Sequence, residues 1–135
     1  MKKLLLILFI TPFISFSQTS FSCNSKEQCN WNKYDKDWLT CGDAYENNCL
    51  FEMNKDETMF VHTTPKMKST YYIKKYRYTE EQAKEKGFFA YDVVSDTGNK
   101  YYFIFDMKLK EVKAVYTSGD VDDWYMIRWF VKSIF

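Results

Sequence analysis

Three polar links, each too short to hold a helix, govern what the last third of this chain can become. Asp96-Thr97-Gly98-Asn99 tolerates positive φ and bonds its own backbone. Asp106 with Lys108 and Lys110 makes a second link of hairpin length, and Ser118-Gly119-Asp120 opens a third. Between and around them lie four runs rich in aromatic and β-branched residues: Phe88–Ser95, Tyr101–Asp106, Glu111–Thr117 and Trp124–Phe135. Links of this length leave no room for a crossover, so successive strands pair antiparallel and form a β-meander.

The meander is apolar on both faces. Side chains alternate along a strand. Phe89, Tyr91 and Val93 therefore oppose Phe88, Ala90 and Val94, and Tyr101, Phe103 and Phe105 oppose Tyr102 and Ile104. In the last run Tyr125, Ile127, Trp129 and Val131 oppose Trp124, Met126 and Phe130. A sheet with one wet face alternates more cleanly than this. The second face is thus expected to meet another layer, a helix, a ligand or a partner.

Upstream, Cys49–Met53 and Thr58–Thr63 read as strands, the second ended by Pro65, and Ser69–Tyr78 as a third. Thr79-Glu80-Glu81-Gln82 has the form of a capping box and Gly87 of a C-cap, bounding at most two turns of helix. The expectation is a mainly β chain: an antiparallel meander of six to seven strands over residues 50–135, closed into a small barrel or strongly curved. Residues 18–49, rich in Asn, Ser, Asp and Lys, read as a loop-rich cap held by disulfides, its Trp31, Tyr34 and Trp38 packing onto the β-core within one domain.

Residues 1–17 have the order of a secretory signal: Lys2-Lys3, an apolar run from Leu4 to Ile10, and small residues at Ser15 and Ser17 before Gln18. The run is short and Pro12 interrupts it, so a membrane span fits poorly. No transmembrane span is expected after cleavage, and the mature chain is placed in the periplasm or outside the cell. A lipid anchor at Cys23 is the lesser alternative, since Phe21 stands where small residues are usual. Cys23, Cys29, Cys41 and Cys49 make an even set, which in an exported chain suggests two disulfides; four cysteines allow three pairings, and spacing does not choose among them. A zinc site is the rival reading, but no C-x-x-C pair is present and the one histidine is distant in sequence, so no metal or cofactor is assigned.

The formal net charge is +1, and losing Lys2 and Lys3 leaves the mature chain near neutral, which argues against nucleic acid and other polyanions as general partners. The charge is unevenly spread. Five bases and no acid fall between Lys66 and Arg77, while acids dominate Cys23 to Glu57. Lys74, Lys75 and Arg77 are read as guards of an exposed edge strand, with Lys74 on the face opposite the other two, and as a speculative interaction strand.

No catalytic set emerges. His62 lacks a nucleophile in an oriented setting and is read as a structural or surface residue. Asp120, Asp122 and Asp123 miss the calcium-loop pattern and read as solvated turns. Asp92 lies within an apolar strand and requires a partner, for which Lys74, Lys75 and Arg77 are the candidates.

Glu57-Thr58-Met59-Phe60, His62-Thr63 and Met67–Tyr72, with Val93–Asp96 and Gly98–Tyr101, resemble small exported proteins of unknown function from Gram-negative bacteria. That resemblance implies export and a β-rich fold, and carries over no site residue. The functional expectation is a non-enzymatic binding module for a small apolar ligand, with Phe89, Tyr91, Tyr101, Phe103 and Trp129 as lumen residues if the sheet closes. The alternative is an interaction protein, such as an enzyme inhibitor or surface-assembly component, with a macromolecular partner; a hydrolase ranks last.

Overall fold

The computed structural model describes residues 19–135, with the backbone alone at residues 39 and 40. The expected signal peptide lies outside the described residues. Nine strands form one antiparallel sheet: β1 (Thr19–Asn32), β2 (Asp37–Cys41), β3 (Tyr45–Met53), β4 (Met59–Thr63), β5 (Lys68–Tyr76), β6 (Phe88–Ser95), β7 (Lys100–Asp106), β8 (Glu111–Tyr116) and β9 (Tyr125–Ile134). β1 pairs with β3 on one side and β9 on the other, and this second pairing closes β1 and β3–β9 into an eight-stranded barrel. The antiparallel meander is thus present in its closed form. A short helix, α1 (Glu80–Lys86), interrupts the strands between β5 and β6.

Residues 19–49 correct the expectation of a loop-rich cap. They supply β1, β2 and part of β3, and this raises the strand count from six or seven to nine. The disulfide-held element is a hairpin: the end of β1 pairs with β2, and Cys29 is bonded to Cys41 across it. Trp31 packs edge-on against Trp38 at 4.9 Å and against Trp124 at 5.9 Å, which ties the hairpin to the link before β9. The polar residues of this segment are largely outward positions of strands, so they do not mark loops.

The turns form as their residues dictate. Asn54 accepts from the backbone N–H of Thr58 at 2.8 Å and of Met59 at 3.1 Å, which folds the β3–β4 turn. Gly98, at φ 89°, takes the left-handed position of the β6–β7 turn, where a Cβ would be strained. Thr79 and Gln82 complete the capping box of α1, and Gly87 ends it at φ 85°.

Inside the barrel, rings meet rings. Phe51, Phe60, Phe103 and Phe105 are essentially fully buried, with Phe21, Tyr91 and Trp129 around them. Phe51 lies 5.0 Å from Trp129, and Phe60 lies 4.8 Å from Phe103 and 5.0 Å from Phe105. Eight strands enclose just enough room for side chains to fill, and large aromatics fill it.

The second face is covered in part by the chain itself. α1 packs onto β6, burying its Ala83 completely; Ala90, on the outer face of β6, is buried too. Elsewhere long cations lie over the outward rings: Arg77 over Tyr102 at 4.9 Å and Arg128 over Phe130 at 5.7 Å. Arg128 also pairs with Glu27 and reaches Glu111, which Lys113 approaches at 3.5 Å. These charges stand on the wall where a membrane barrel carries a continuous apolar band. No helix among the described residues is long and apolar enough to cross a membrane.

Candidate functional site

The site begins with an irregularity in β5. Ile73 pairs with Val93 and Lys75 with Asp92, so Lys74 has no partner on β6 and the strand bulges there. A bulge inserts one residue and so shifts the alternation of faces. Tyr71 and Ile73 face the core; beyond the extra residue Lys74, Lys75 and Arg77 all border the same outer groove. Two earlier expectations are corrected here. The three cations share one face, because the bulge cancels the alternation that would have separated Lys74 from Lys75. β5 is not an edge either, since it pairs with β4 and with β6.

The groove runs across β5, β6, β7 and the end of β8, with a volume of about 490 Å³. That is a usual size for a small-ligand cleft. Lys74, Lys75, Arg77 and Lys100 line it against a single carboxylate, Asp92. Tyr102, Val94 and Val115 supply an apolar floor. Arg77 donates to Asp92 Oδ1 from Nε at 3.1 Å and from Nη2 at 2.9 Å while its guanidinium lies over Tyr102. Asp92 thus has the partner its position demanded. Burial pushes the Tyr102 hydroxyl up, an effect that the Arg77 charge opposes, so the phenol stays a neutral hydrogen-bonding group. Chemically, the groove presents ammonium and guanidinium donors beside a flat ring: it is built to take negative charge next to an apolar face.

The five expected lumen residues all face inward. Tyr91, Phe103 and Trp129 are buried, and Phe89 and Tyr101 are packed against the same core. They pack on one another: Phe103 lies parallel to Trp129 at 6.3 Å, and Tyr91 lies 6.0 Å from Phe105. Of the five, Tyr101 also borders the outer groove. At the barrel end its hydroxyl lies 3.3 Å from that of Tyr125.

The cysteines divide into two kinds. Cys29 and Cys41 are bonded, whereas Cys23 and Cys49 are buried free thiols, so one of the two expected disulfides is present. His62 is an interior residue, stacked on Phe51 at 4.3 Å. Asp120 caps a 3₁₀ turn at Val121–Asp123, and Asp122 pairs at 2.9 Å with Lys33 of the β1–β2 turn, so the first shapes the link and the second ties it to the hairpin. Among the described residues, one group has the spacing of metal ligands: Glu27 with Cys29 and Cys41. Its sulfurs are spent in the disulfide, and Glu27 is held by Arg128.

Sequence reasoning missed Lys100 and Tyr102 as partners of the cationic strand. They arrive from β7 through the β6–β7 pairing, and only the register places Tyr102 opposite Asp92. One signal for the bulge was legible: strict alternation after Tyr71 and Ile73 puts Lys75 inside the barrel, which a core rejects.

No family profile matches this chain, and neither curated proteins nor solved structures yield a match.

Proposed function

We propose that the protein is an exported, non-enzymatic binding module whose ligand is acidic and seats in the outer groove between β5 and β8. The observation that carries this reading is the bulge at Lys74, which gathers Lys74, Lys75 and Arg77 beside Lys100 around the Tyr102 ring. A carboxylate-bearing oligomer with flat apolar faces, such as an acidic oligosaccharide, matches that mixture of charge and ring. The inward rings act as the rigid support of this wall, which moves the expected site from the lumen to the outside.

Export is supported by the position of β1. Cleavage near Ser17 leaves the strand intact from Thr19. Lipidation at Cys23 would remove residues 19–22, which pair with β3 and β9, and would draw a buried sulfur out of the barrel.

Calorimetric titration with hexagalacturonate and with its neutral methyl ester tests the proposal. Binding of the acid, weakened by salt and lost in Lys74→Ala/Lys75→Ala, supports it. Equal binding of the ester, or binding untouched by the double substitution, refutes it. A second reading, an interaction protein, is favoured by the β1–β2 hairpin: Tyr34 stands 84% exposed at its tip, over a base tied by the Cys29–Cys41 bond.

A further inference from the structure

The geometry points to a buried thiol–imidazole site, formed by Cys23, Cys49 and His62, that closes by thiol–disulfide exchange into a second disulfide across the β1–β3 seam. Cys23 and Cys49 are direct partners in the antiparallel register, and both are buried, 2% and 7% exposed. Direct partners have Cα atoms about 4.5–5.5 Å apart, inside the span of about 4.4–6.8 Å that a disulfide bridges. Cys29 and Cys41 stand in the same relation and are bonded. β1 therefore carries two cysteines, each with another directly across from it. The other two pairings are excluded by distance, because six residues of strand put Cys23 about 20 Å from Cys29 and its partner.

His62 completes the site from β4. Its residue pairs with Phe51, its ring lies flat on the Phe51 ring, and its Nε2 is buried without a hydrogen-bond partner. Contact with the Cys23 thiol pulls the Cys49 thiol down against the opposing effect of burial, the His62 imidazole pulls the same way, and Lys26 adds a smaller pull. The same contact with Cys49, together with burial, pushes the Cys23 thiol up. The contact with His62 assigns the roles, since Phe51, the partner of His62 across the β3–β4 pairing, stands two residues from Cys49 on the same face of β3. Cys49 is the thiolate that attacks, and Cys23 keeps its proton until the second step.

The oxidant is an external disulfide. Cys49 Sγ attacks one of its sulfurs, the external S–S bond breaks, and one thiolate leaves. Cys23 then loses its proton and attacks Cys49 Sγ, which breaks the mixed disulfide and releases the second thiolate. Two protein thiols are oxidised and one external disulfide is reduced to two thiols. Both sulfurs are buried, so exchange takes place when the β1–β3 seam opens locally. His62 is a positioning residue, holding negative charge on Cys49 without touching the oxidant.

The mature chain, incubated folded with oxidised glutathione, is then unfolded and alkylated without reductant, and the intact mass counts its thiols. The expected result is no alkylated cysteine, a peptide linking Cys23 to Cys49, and a melting temperature raised on the order of 10 °C over the dithiol form. Two alkylated cysteines after that exposure, or a cross-link to any other partner, overturns the inference. Cys23→Ala tests the order of steps: Cys49 then retains one glutathione, whereas a variant that takes up none refutes its role as the attacking sulfur. For His62→Gln, the pH at which closure reaches half its limiting rate moves upward; an unmoved profile removes His62 from the site.

Discussion

Phe103 and Tyr102 are neighbours on β7 and belong to different worlds. Phe103 is fully buried among Phe60, Phe51 and Trp129, with rings within about 6 Å on several sides. Tyr102 is half-buried on the outer wall, under the Arg77 guanidinium and in a groove lined by three lysines. The inner wall is redundant and dry, each ring held by several others; the outer wall is sparse, wet and charged. The contrast separates the residues that hold the barrel together from those placed to meet a ligand. Substitutions on the two walls are accordingly expected to fail in different assays.

The largest expected effect lies inside. Phe103→Ala removes a ring from a site that cannot collapse around the loss, because its neighbours are themselves anchored on other strands. It is expected to cost about 3–5 kcal/mol in urea unfolding. If stability falls by less than about 1 kcal/mol, the interior is looser than the ring contacts imply and the contrast weakens.

Next comes alkaline pH, which acts chiefly on the inner wall. Burial raises the Tyr71 hydroxyl from 10.0 to about 12, and burial also pushes Tyr91 and Tyr125 up. These groups are neutral when protonated, and the folded barrel holds their protons more tightly than the unfolded chain does. The Tyr71 contribution is therefore fully present below pH 10 and is lost as the pH rises from 10 through about 12, and those of Tyr91 and Tyr125, held higher, are lost later. The urea midpoint should fall through that window in step with tyrosinate absorbance. A flat midpoint there would mean that the interior hydroxyls are wet.

Much of the inner wall was legible in the chain and little of the outer. Asp96-Thr97-Gly98-Asn99 fixes a hairpin, and from it strict alternation places Phe89, Tyr91, Tyr101 and Phe103 on one face, where they are found. The N-terminal strands were hidden because β1 breaks its own period of two: its register shifts near Cys23–Ser25 and again near Asn30–Asn32. The cationic face was hidden for the same reason, since one residue inserted at Lys74 reverses which lysine points where. Nothing local places His62 beside Cys49, because that contact exists only once β3 and β4 are paired.

A smaller effect is expected at the helix that covers β6. Thr79 accepts from the Gln82 N–H at 3.2 Å, and the Gln82 side chain accepts from the Thr79 N–H at 2.9 Å. Thr79→Ala removes the hydroxyl half of this box, leaving the backbone N–H to the Gln82 side chain, and should cost about 1 kcal/mol. Because α1 buries only Ala83, the loss should appear as faster amide exchange in residues 80–87 ahead of any global change. Uniformly faster exchange over the whole barrel would show that the cover is part of the core rather than an addition to it.

The smallest effect on stability is expected in the groove, and there it matters most for binding. Arg77 and Asp92 have side chains 46% and 33% exposed, so water screens the pair and Arg77→Ala should change stability by less than about 1 kcal/mol. Its affinity for an acidic probe should nevertheless fall about tenfold, the worth of one charged hydrogen bond. Asp92→Asn separates the two roles. It removes the one carboxylate in the groove and frees the guanidinium that Asp92 now occupies, so affinity for the same probe should rise while stability stays within the same narrow range. If Asp92→Asn weakens binding as Arg77→Ala does, the pair acts as a structural clamp on the wall, and the outer face belongs with the inner one.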